Sequence, residues 1–256
     1  MSKAIIGNTG FIGSNLCNQT YFDDFYNSKN IAEIKNKKYD FVISAGNPSL
    51  RWKINQNGEE DLSNIKKFIE YINEVNVDTF VLVSTIDVYK TPVGVYEDSE
   101  ADVEITNPYG RNRLYLEEFI KNKFENHLII RLPIVYGANF RKNIIFDLLN
   151  NHEVEKIDTT AKLQFYNVKN LYTDISSAIE SKIKLLNMAT APILVRDILD
   201  EVFDINFENP IGKGLVYDMR TRYGKLFRHK LEDYIYSREE IIEDLKNFKK
   251  QYKNES

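Results

Sequence analysis

The chain has 256 residues, with 34 lysines and arginines against 38 aspartates and glutamates. Its formal net charge of −4 provides no basic excess for neutralising a phosphate backbone, which argues against a dedicated nucleic-acid binder. Hydrophobic residues at 43% and charged residues at 28% match a folded globular protein and exclude disorder as the default state. A single cysteine, Cys17, excludes an internal disulfide, and no apolar run approaches the ~18 residues of a membrane-spanning helix.

Over the first half of the chain, short β-branched and aromatic runs alternate with longer segments of helical period. The amino terminus lacks the long apolar segment of a signal peptide, so we expect it to form the first strand of a cytoplasmic protein. The alternation predicts an α/β fold, a Rossmann-type doubly wound parallel sheet over residues 1–132. We predict strands over 4–6, 24–26, 41–45, 80–83 and 128–130, and helices over 59–76 and 109–124.

Beyond about residue 133 the segments are shorter, more polar and less regular. Residues 133–256 are therefore predicted to form a smaller C-terminal substrate-binding region packed on the first, with an approximate boundary and some exchange between the two. We predict an extended segment over 163–168 and helices over 143–149, 171–181, 193–202 and 238–252.

Glycines follow the first strand at the spacing G-x-x-G-x-x-G. Glycine lets the backbone turn tightly and approach a pyrophosphate, and a following helix supplies N–H groups and a partial positive charge. The chain has only 11 glycines, so this cluster favours a dinucleotide site over a strand-to-helix turn that needs glycine for steric reasons alone. The cofactor-binding residues predicted here are Gly7, Thr9, Gly10, Phe11, Ile12 and Gly13.

The chain after the second predicted strand has no acidic residue of the kind that holds the ribose hydroxyls of NAD. It continues instead with Ser28, Lys29 and Asn30, and a hydroxyl, a cation and an amide suit a 2′-phosphate. These residues favour NADP(H) over NAD(H) as the cofactor. The alternative interpretation, that they only open the next short helix, is equally open.

Four later segments complete a set of motifs: Val83–Tyr89, Asn107–Arg113, Arg131–Gly137 and Gln164–Leu171. Together with the glycine loop, and in the same order, they resemble the extended short-chain dehydrogenase/reductase family of NAD-dependent epimerases and dehydratases. The resemblance spans nearly the whole chain. It implies an NAD(P)-dependent oxidoreductase acting on a nucleotide-linked sugar, as a keto-sugar reductase or an epimerase.

The same resemblance assigns catalysis to Thr85, Tyr109 and Arg113. A tyrosine hydroxyl titrates near pH ~10, so a cation four residues further along the same helix face is needed to favour its anion. The family has lysine at this fourth position, and the planar fork of an arginine places its donors differently. Arg113 therefore supports an alternative hypothesis, a catalytically impaired dinucleotide-binding sensor or assembly subunit.

The resemblance also implies further contacts with cofactor and substrate. A lone Asp87 disfavours dehydration, because the dehydratase branch has an adjacent Asp-Glu pair for elimination. The histidines are dispersed and predict no metal site. The expected partners are a nucleotide sugar and a second copy of the chain in a homodimer, with no nucleic acid and no membrane. The remaining cofactor residues are Ala45, Gly46, Asn64, Tyr109, Arg113 and Pro133, and the substrate residues are Asp87, Asn139, Arg141 and Arg220.

Overall fold

The computed structural model describes residues 1–46, 51–100, 107–212, 214–228 and 230–255. None of the helices in these ranges is both long and apolar enough to cross a membrane. The elements in chain order are β1 (Lys3–Ile6), α1 (Phe11–Cys17), β2 (Asp24–Tyr26), β3 (Lys38–Ser44), α2 (Arg51–Gln56), α3 (Gly58–Ile72), β4 (Asn76–Thr85), β5 (Val93–Val95), α4 (Pro108–Lys123), β6 (His127–Leu132), β7 (Ile134–Tyr136), α5 (Ile144–Asn150), β8 (Lys162–Leu163), β9 (Phe165–Asn167), α6 (Leu171–Glu180), β10 (Leu185–Asn187), β11 (Ile193–Leu194), α7 (Val195–Ile198), β12 (Asp218–Met219) and α8 (Arg238–Glu255).

The predicted α/β fold with a doubly wound sheet is confirmed. In the described ranges the main sheet has six strands, in the order β10-β6-β4-β3-β1-β2. Strand β1 pairs in parallel with both β2 and β3, and β3 pairs in parallel with β4. The chain changes direction across the sheet between β1 and β3, and ligands of such folds bind beyond the carboxyl ends of the strands at this point. Gly7 follows β1 at that position.

Two compact units make up the chain, and each is built from separate segments. The first unit comprises Met1–Lys90, Asp98–Arg131 and Lys169–Leu186. The second comprises Thr91–Glu97, Leu132–Val168 and Asn187–Ser256. Helix α6 thus belongs to the first unit although it follows residue 133 in sequence. The assignment of one part to the dinucleotide and the other to the substrate stays a prediction.

The core of the first unit is apolar, and a buried ionic network at its edge fixes α4. Arg131 of β6 donates to Glu117 of α4 with its Nη2 2.6 Å from Oε2, and both side chains are at most 2% exposed. Ser84 at the end of β4 donates to the same carboxylate, and Arg131 also donates to the Tyr89 hydroxyl. Because buried charges are tolerated only when paired, this network holds α4 at one position against the ends of β4 and β6.

Helix α3 and strand β4 differ from their predicted bounds. The prediction extended the helix to residue 76, but α3 ends at Ile72 and β4 begins at Asn76. Asn76 pairs with Lys38 of β3, and its N–H donates to the Lys37 carbonyl. Pairing with a strand distant in sequence therefore overrides the helical period of the last four residues, and it extends β4 beyond its apolar centre.

In the second unit the strands are short and form separate pairs. β7 pairs with β9, β8 with β11 and β5 with β12. The extended segment predicted over 163–168 is interrupted at Gln164, whose buried side chain donates to the carbonyls of Thr190 and Met219. The helix predicted over 193–202 begins with strand β11 and ends in a π-helical turn at Leu199–Phe203.

Candidate active site

The glycine loop packs so closely that most of its glycines have no room for a side chain. Gly7 has φ +92°, and a Cβ atom there would lie 2.3 Å from the Cα of Gly46. A Cβ on Gly13 would lie 2.0 Å from the Gly7 carbonyl oxygen. Gly10 differs, because a Cβ there would meet only the Gly7 oxygen, at 3.3 Å. Gly7 and Gly13 are thus required by the fold, whereas Gly10 leaves a bare position at the start of α1.

This loop fits a dinucleotide on three observations. It lies at the carboxyl end of β1, where the sheet changes direction. Thr9 and Gly10 are exposed, and α1 begins at Phe11 without a side chain on its N-cap residue to cover its first turn. The Oδ1 atom of Asn8 is buried and has no hydrogen-bond partner within the described parts of the chain. A pyrophosphate and a ligand hydroxyl would satisfy this open helix start and this acceptor.

The ends of β2 and β3 lie beside the loop. The Gly7 N–H donates to the Tyr26 carbonyl at 2.7 Å, and the Ala45 N–H donates to the Ile6 carbonyl at 2.8 Å. The structure therefore brings Tyr26 and Ala45 to the glycine loop. Gly46 and the 28–30 segment follow them in the chain, and their contacts with a cofactor stay a prediction.

Within the 28–30 segment the three side chains have different surroundings. Asn30 accepts from the Asn27 N–H at 2.8 Å and donates to the Phe25 carbonyl at 3.0 Å. Its amide thus holds the turn after β2. Ser28 and Lys29 are exposed. The groups that suit a 2′-phosphate are therefore the Ser28 hydroxyl and the Lys29 ammonium, and Asn30 supports the turn that carries them.

Tyr109 occupies the first turn of α4. Asn107 caps the helix by accepting from the Tyr109 N–H at 3.0 Å, and Pro108 fits the first helical position because it needs no N–H partner there. The Oδ1 of Asn55 in α2 accepts from the same N–H at 3.1 Å. These contacts place the buried ring of Tyr109, which is 9% exposed, beside Thr85 at the end of β4.

The surroundings of the Tyr109 hydroxyl keep it protonated. Burial raises its pKa above the ordinary value, and the charge of Asp87 adds to this rise. The charge of Arg113 and the hydrogen bonds with Arg113 and Thr85 act in the opposite direction without cancelling the effect of burial. The guanidinium carbon of Arg113 lies 4.8 Å from the centre of the Tyr109 ring. The three residues predicted to be catalytic are therefore brought together.

Arg113 is held from its other side by Asp61 of α3. Its Nη2 lies 2.9 Å from Asp61 Oδ1, and each side chain is 3% exposed. Asn112 donates to the second carboxylate oxygen of Asp61 at 2.9 Å and to the Gly58 carbonyl at 2.8 Å. A Cβ on Gly58 would lie 2.5 Å from Pro108 Cβ, so α3 and α4 touch where both begin. This cluster ties Arg113 to a fixed position.

Asp87 is also paired. Arg51 of α2 lies with Nη2 2.9 Å from Asp87 Oδ1, and the Thr85 hydroxyl donates to Asp87 Oδ2 at 3.1 Å. Burial raises the pKa of Asp87, while Arg51 and Thr85 oppose the rise. Asp87, predicted to bind substrate, thus lies beside Thr85 and acts on Tyr109.

Sequence analysis missed Asp61, Arg51 and Asn55. Asn55 contacts Tyr109 from another helix, whereas Asn64 lies exposed on α3 and its role toward the cofactor stays a prediction. A signal for Asp61 was present: it precedes the apolar position Ile65 by one helical turn, so the two share the face of α3 that is buried. A cation predicted on a buried helix face needs such a carboxylate partner.

The other predicted residues lie in the second unit, and their roles toward cofactor and substrate stay predictions. Pro133 is buried, and Asn139 and Arg141 are exposed before α5. Arg220 is held by Asp218 at 2.8 Å and lies 3.6 Å from Asp233, so two carboxylates already face its charge. Among the residues the structure describes, no group of three or more His, Cys, Asp or Glu side chains is arranged to hold a metal ion.

Comparison with known families decides the classification. The model of the NAD dependent epimerase/dehydratase family matches residues 20–180. This chain belongs to that family. The resemblance noted from the motifs is thereby confirmed, and the family description supports the expected nicotinamide dinucleotide as the class of cofactor. No curated protein sequence matches the chain significantly.

Solved structures share the fold at low sequence identity. A UDP-glucuronic acid 4-epimerase from Bacillus cereus, in complex with UDP-4-deoxy-4-fluoro-glucuronic acid and NAD, is 16% identical, with 100% of both chains covered and a TM-score of 0.73. A dTDP-4-dehydrorhamnose reductase from Bacillus anthracis, in complex with NADP, is 14% identical, with 97% of this chain and 99% of that chain covered and a TM-score of 0.73. A UDP-glucose 4-epimerase from Thermotoga maritima, with UDP-glucose, is 14% identical, with 99% of both chains covered and a TM-score of 0.72.

Proposed function

We propose that the protein is a reductase that uses a reduced nicotinamide dinucleotide to convert a keto group of a nucleotide-linked sugar into an alcohol. The observation that carries this proposal is the position of Tyr109. Its hydroxyl lies buried between Thr85 and Arg113, in the unit that also contains the glycine loop. The family description supports the cofactor class, and the structurally similar nucleotide-sugar enzymes suggest the substrate class.

Reduction of a carbonyl requires a proton at its oxygen, and Tyr109 is the group that supplies it. The hydroxyl of Thr85 hydrogen-bonds the same substrate oxygen and orients it toward Tyr109 Oη. The bound cofactor supplies the hydride for the neighbouring carbon. After the proton has left, Arg113 is the cation that faces the phenolate on Tyr109, with its charge shared with Asp61.

The choice of reduction over epimerisation rests on the burial of the Tyr109 hydroxyl, which favours its phenol form. A reductase requires this residue only to donate a proton, whereas an epimerase first requires it to accept one. Burial raises the pKa of Tyr109, so the phenol is the form present at neutral pH. The site is therefore suited to donating a proton.

Turnover with nucleoside diphosphate keto-sugars tests the proposal. We expect net oxidation of the reduced cofactor when such a sugar is added, and none when the same nucleoside diphosphate is added without the sugar. Interconversion of two sugars without net oxidation would assign an epimerase instead. Cofactor binding without turnover of any sugar would support the dinucleotide-binding sensor or assembly subunit.

We further propose that the cofactor is NADP(H). The exposed Lys29 and Ser28 lie after β2, and the Gly7 N–H bond to Tyr26 joins the end of this strand to the glycine loop. A charge-assisted hydrogen bond to phosphate contributes about 1.5–3 kcal/mol. NADPH is therefore expected to bind about 10–100-fold more tightly than NADH.

Replacing Lys29 by glutamate should remove or reverse this preference, because a carboxylate repels the 2′-phosphate. Calorimetric titration with both cofactors measures the ratio. Lys37→Glu is the matched control: it makes the same charge change at an exposed residue just before β3, at the opposite end of the strands. An unmodified protein that prefers NADH would contradict the assignment.

A further inference from the structure

The charges around Tyr109 occur as two ion pairs. Arg113 approaches the ring from α4, and its Nη2 is bound to Asp61 of α3. Asp87 approaches from the turn after β4, and it is bound to Arg51 of α2. The other contacts known for Tyr109 within the described ranges are with Thr85, Asn55 and Asn107, which carry no charge. Neither the cation nor the anion near the tyrosine therefore acts on it alone.

We propose that Asp61 is a positioning residue that holds Arg113 against Tyr109 and balances its charge, so that the pair keeps Tyr109 in its phenol form until a substrate is bound. The proposal rests on the proposed function. Both side chains are withdrawn from water, so their mutual attraction is strong and their combined field at a third group is weak. The second carboxylate oxygen of Asp61 is fixed by Asn112, which leaves the first oxygen directed at Arg113.

This arrangement explains why arginine replaces lysine at the fourth position after Tyr109. A guanidinium presents several N–H groups in a plane, so Arg113 can bind Asp61 with Nη2 while it faces the tyrosine ring. A lysine has a single nitrogen on a flexible chain, and a buried Asp61 would draw that nitrogen toward itself. Arg113 and Asp61 are thus expected to function as one unit.

Ionisation of Tyr109 in the cofactor-free protein tests the proposal. Carbon-13 at the Cζ atom of the tyrosines reports each hydroxyl by NMR, and the signal missing in Tyr109→Phe identifies residue 109. The unmodified protein should show no titration of this signal below about pH 10. Asp61→Asn keeps an acceptor for Arg113 and removes the balancing charge. It should raise the ionisation constant of Tyr109 at least about tenfold, which lowers its pKa by about one unit.

Two further variants separate charge balance from a general effect of mutation. Glu59→Gln removes a carboxylate from an exposed position on the same helix and should leave the Tyr109 signal unchanged. Arg113→Lys alone should not lower the pKa of Tyr109, because Asp61 is still present. Asp61→Asn combined with Arg113→Lys should lower this pKa, because the ammonium group then faces the tyrosine without a competing anion.

An unchanged or raised Tyr109 pKa in a folded Asp61→Asn protein would overturn the proposal. If Asp61→Asn does not fold, the double variant decides: a folded double variant with a lowered pKa supports the proposal. Failure of both variants to fold would show that Asp61 serves the fold and not Arg113, which also overturns it. The measurement uses neither cofactor nor substrate, so it stands even if no reductase activity is found.

Discussion

Replacing Tyr109 by phenylalanine should lower turnover of a nucleotide-linked keto-sugar by about two to four orders of magnitude. Phenylalanine keeps the buried ring and its packing, and it removes the hydroxyl that supplies the proton. Cofactor affinity should stay nearly unchanged, because the glycine loop and the end of β2 are untouched. Initial rates at saturating substrate measure the first effect. Calorimetric titration measures cofactor binding.

Tyr115→Phe is the matched control for this experiment. Tyr115 lies on the same helix but is 46% exposed, so loss of its hydroxyl should not change turnover. Equal turnover by the Tyr109→Phe protein and the unmodified protein would show that another group supplies the proton. Asp87, whose pKa is raised by burial, would then be the next residue to test.

Gly10→Asp should weaken binding of NADPH and NADH at least about 100-fold, because like charges placed in contact cost several kcal/mol. The new carboxylate would stand at the start of α1, where the pyrophosphate is proposed to bind. The fold should persist, since a Cβ at Gly10 meets only the Gly7 oxygen at 3.3 Å. Calorimetric titration measures the affinity, and thermal melting shows that the protein is folded.

Two alanine variants separate the effect of the added charge from the effect of the added side-chain volume. Gly10→Ala adds a methyl group without charge and should retain most of the affinity. Gly13→Ala places a Cβ 2.0 Å from the Gly7 oxygen and should lower the melting temperature as well as the affinity. If Gly10→Asp binds both cofactors as well as the unmodified protein does, the glycine loop is not the cofactor site.

Features encoded within a few residues were predictable from the sequence. The start of α4 is one case, because the Asn107 cap and Pro108 act on adjacent backbone groups. The glycine loop is another, because its spacing reflects contacts between near neighbours such as Gly7 and Gly13. The predicted end of α3 was wrong, because the pairing of β3 with β4 depends on residues about forty positions apart.

The parts of the candidate site that sequence analysis missed come from contacts between distant residues. Asp61 meets Arg113 across 52 positions, and Asn55 meets Tyr109 across 54. Such pairs depend on how α2, α3 and α4 pack, and no local pattern specifies that packing. Asn30 is a different case. Its residue type suggested contact with a ligand, but its amide forms two hydrogen bonds that hold the turn after β2.

Transfer of deuterium tests hydride transfer by this protein most directly. NADPH that carries deuterium at its hydride position would be incubated with the protein and a set of nucleoside diphosphate keto-sugars. The sugars would then be analysed by mass spectrometry and NMR. We expect one sugar to gain a single deuterium on the carbon that carried the carbonyl group, and the Tyr109→Phe protein to form this product far more slowly. A complete set of keto-sugars recovered without deuterium, from a protein shown to bind NADPH, would contradict the proposed function.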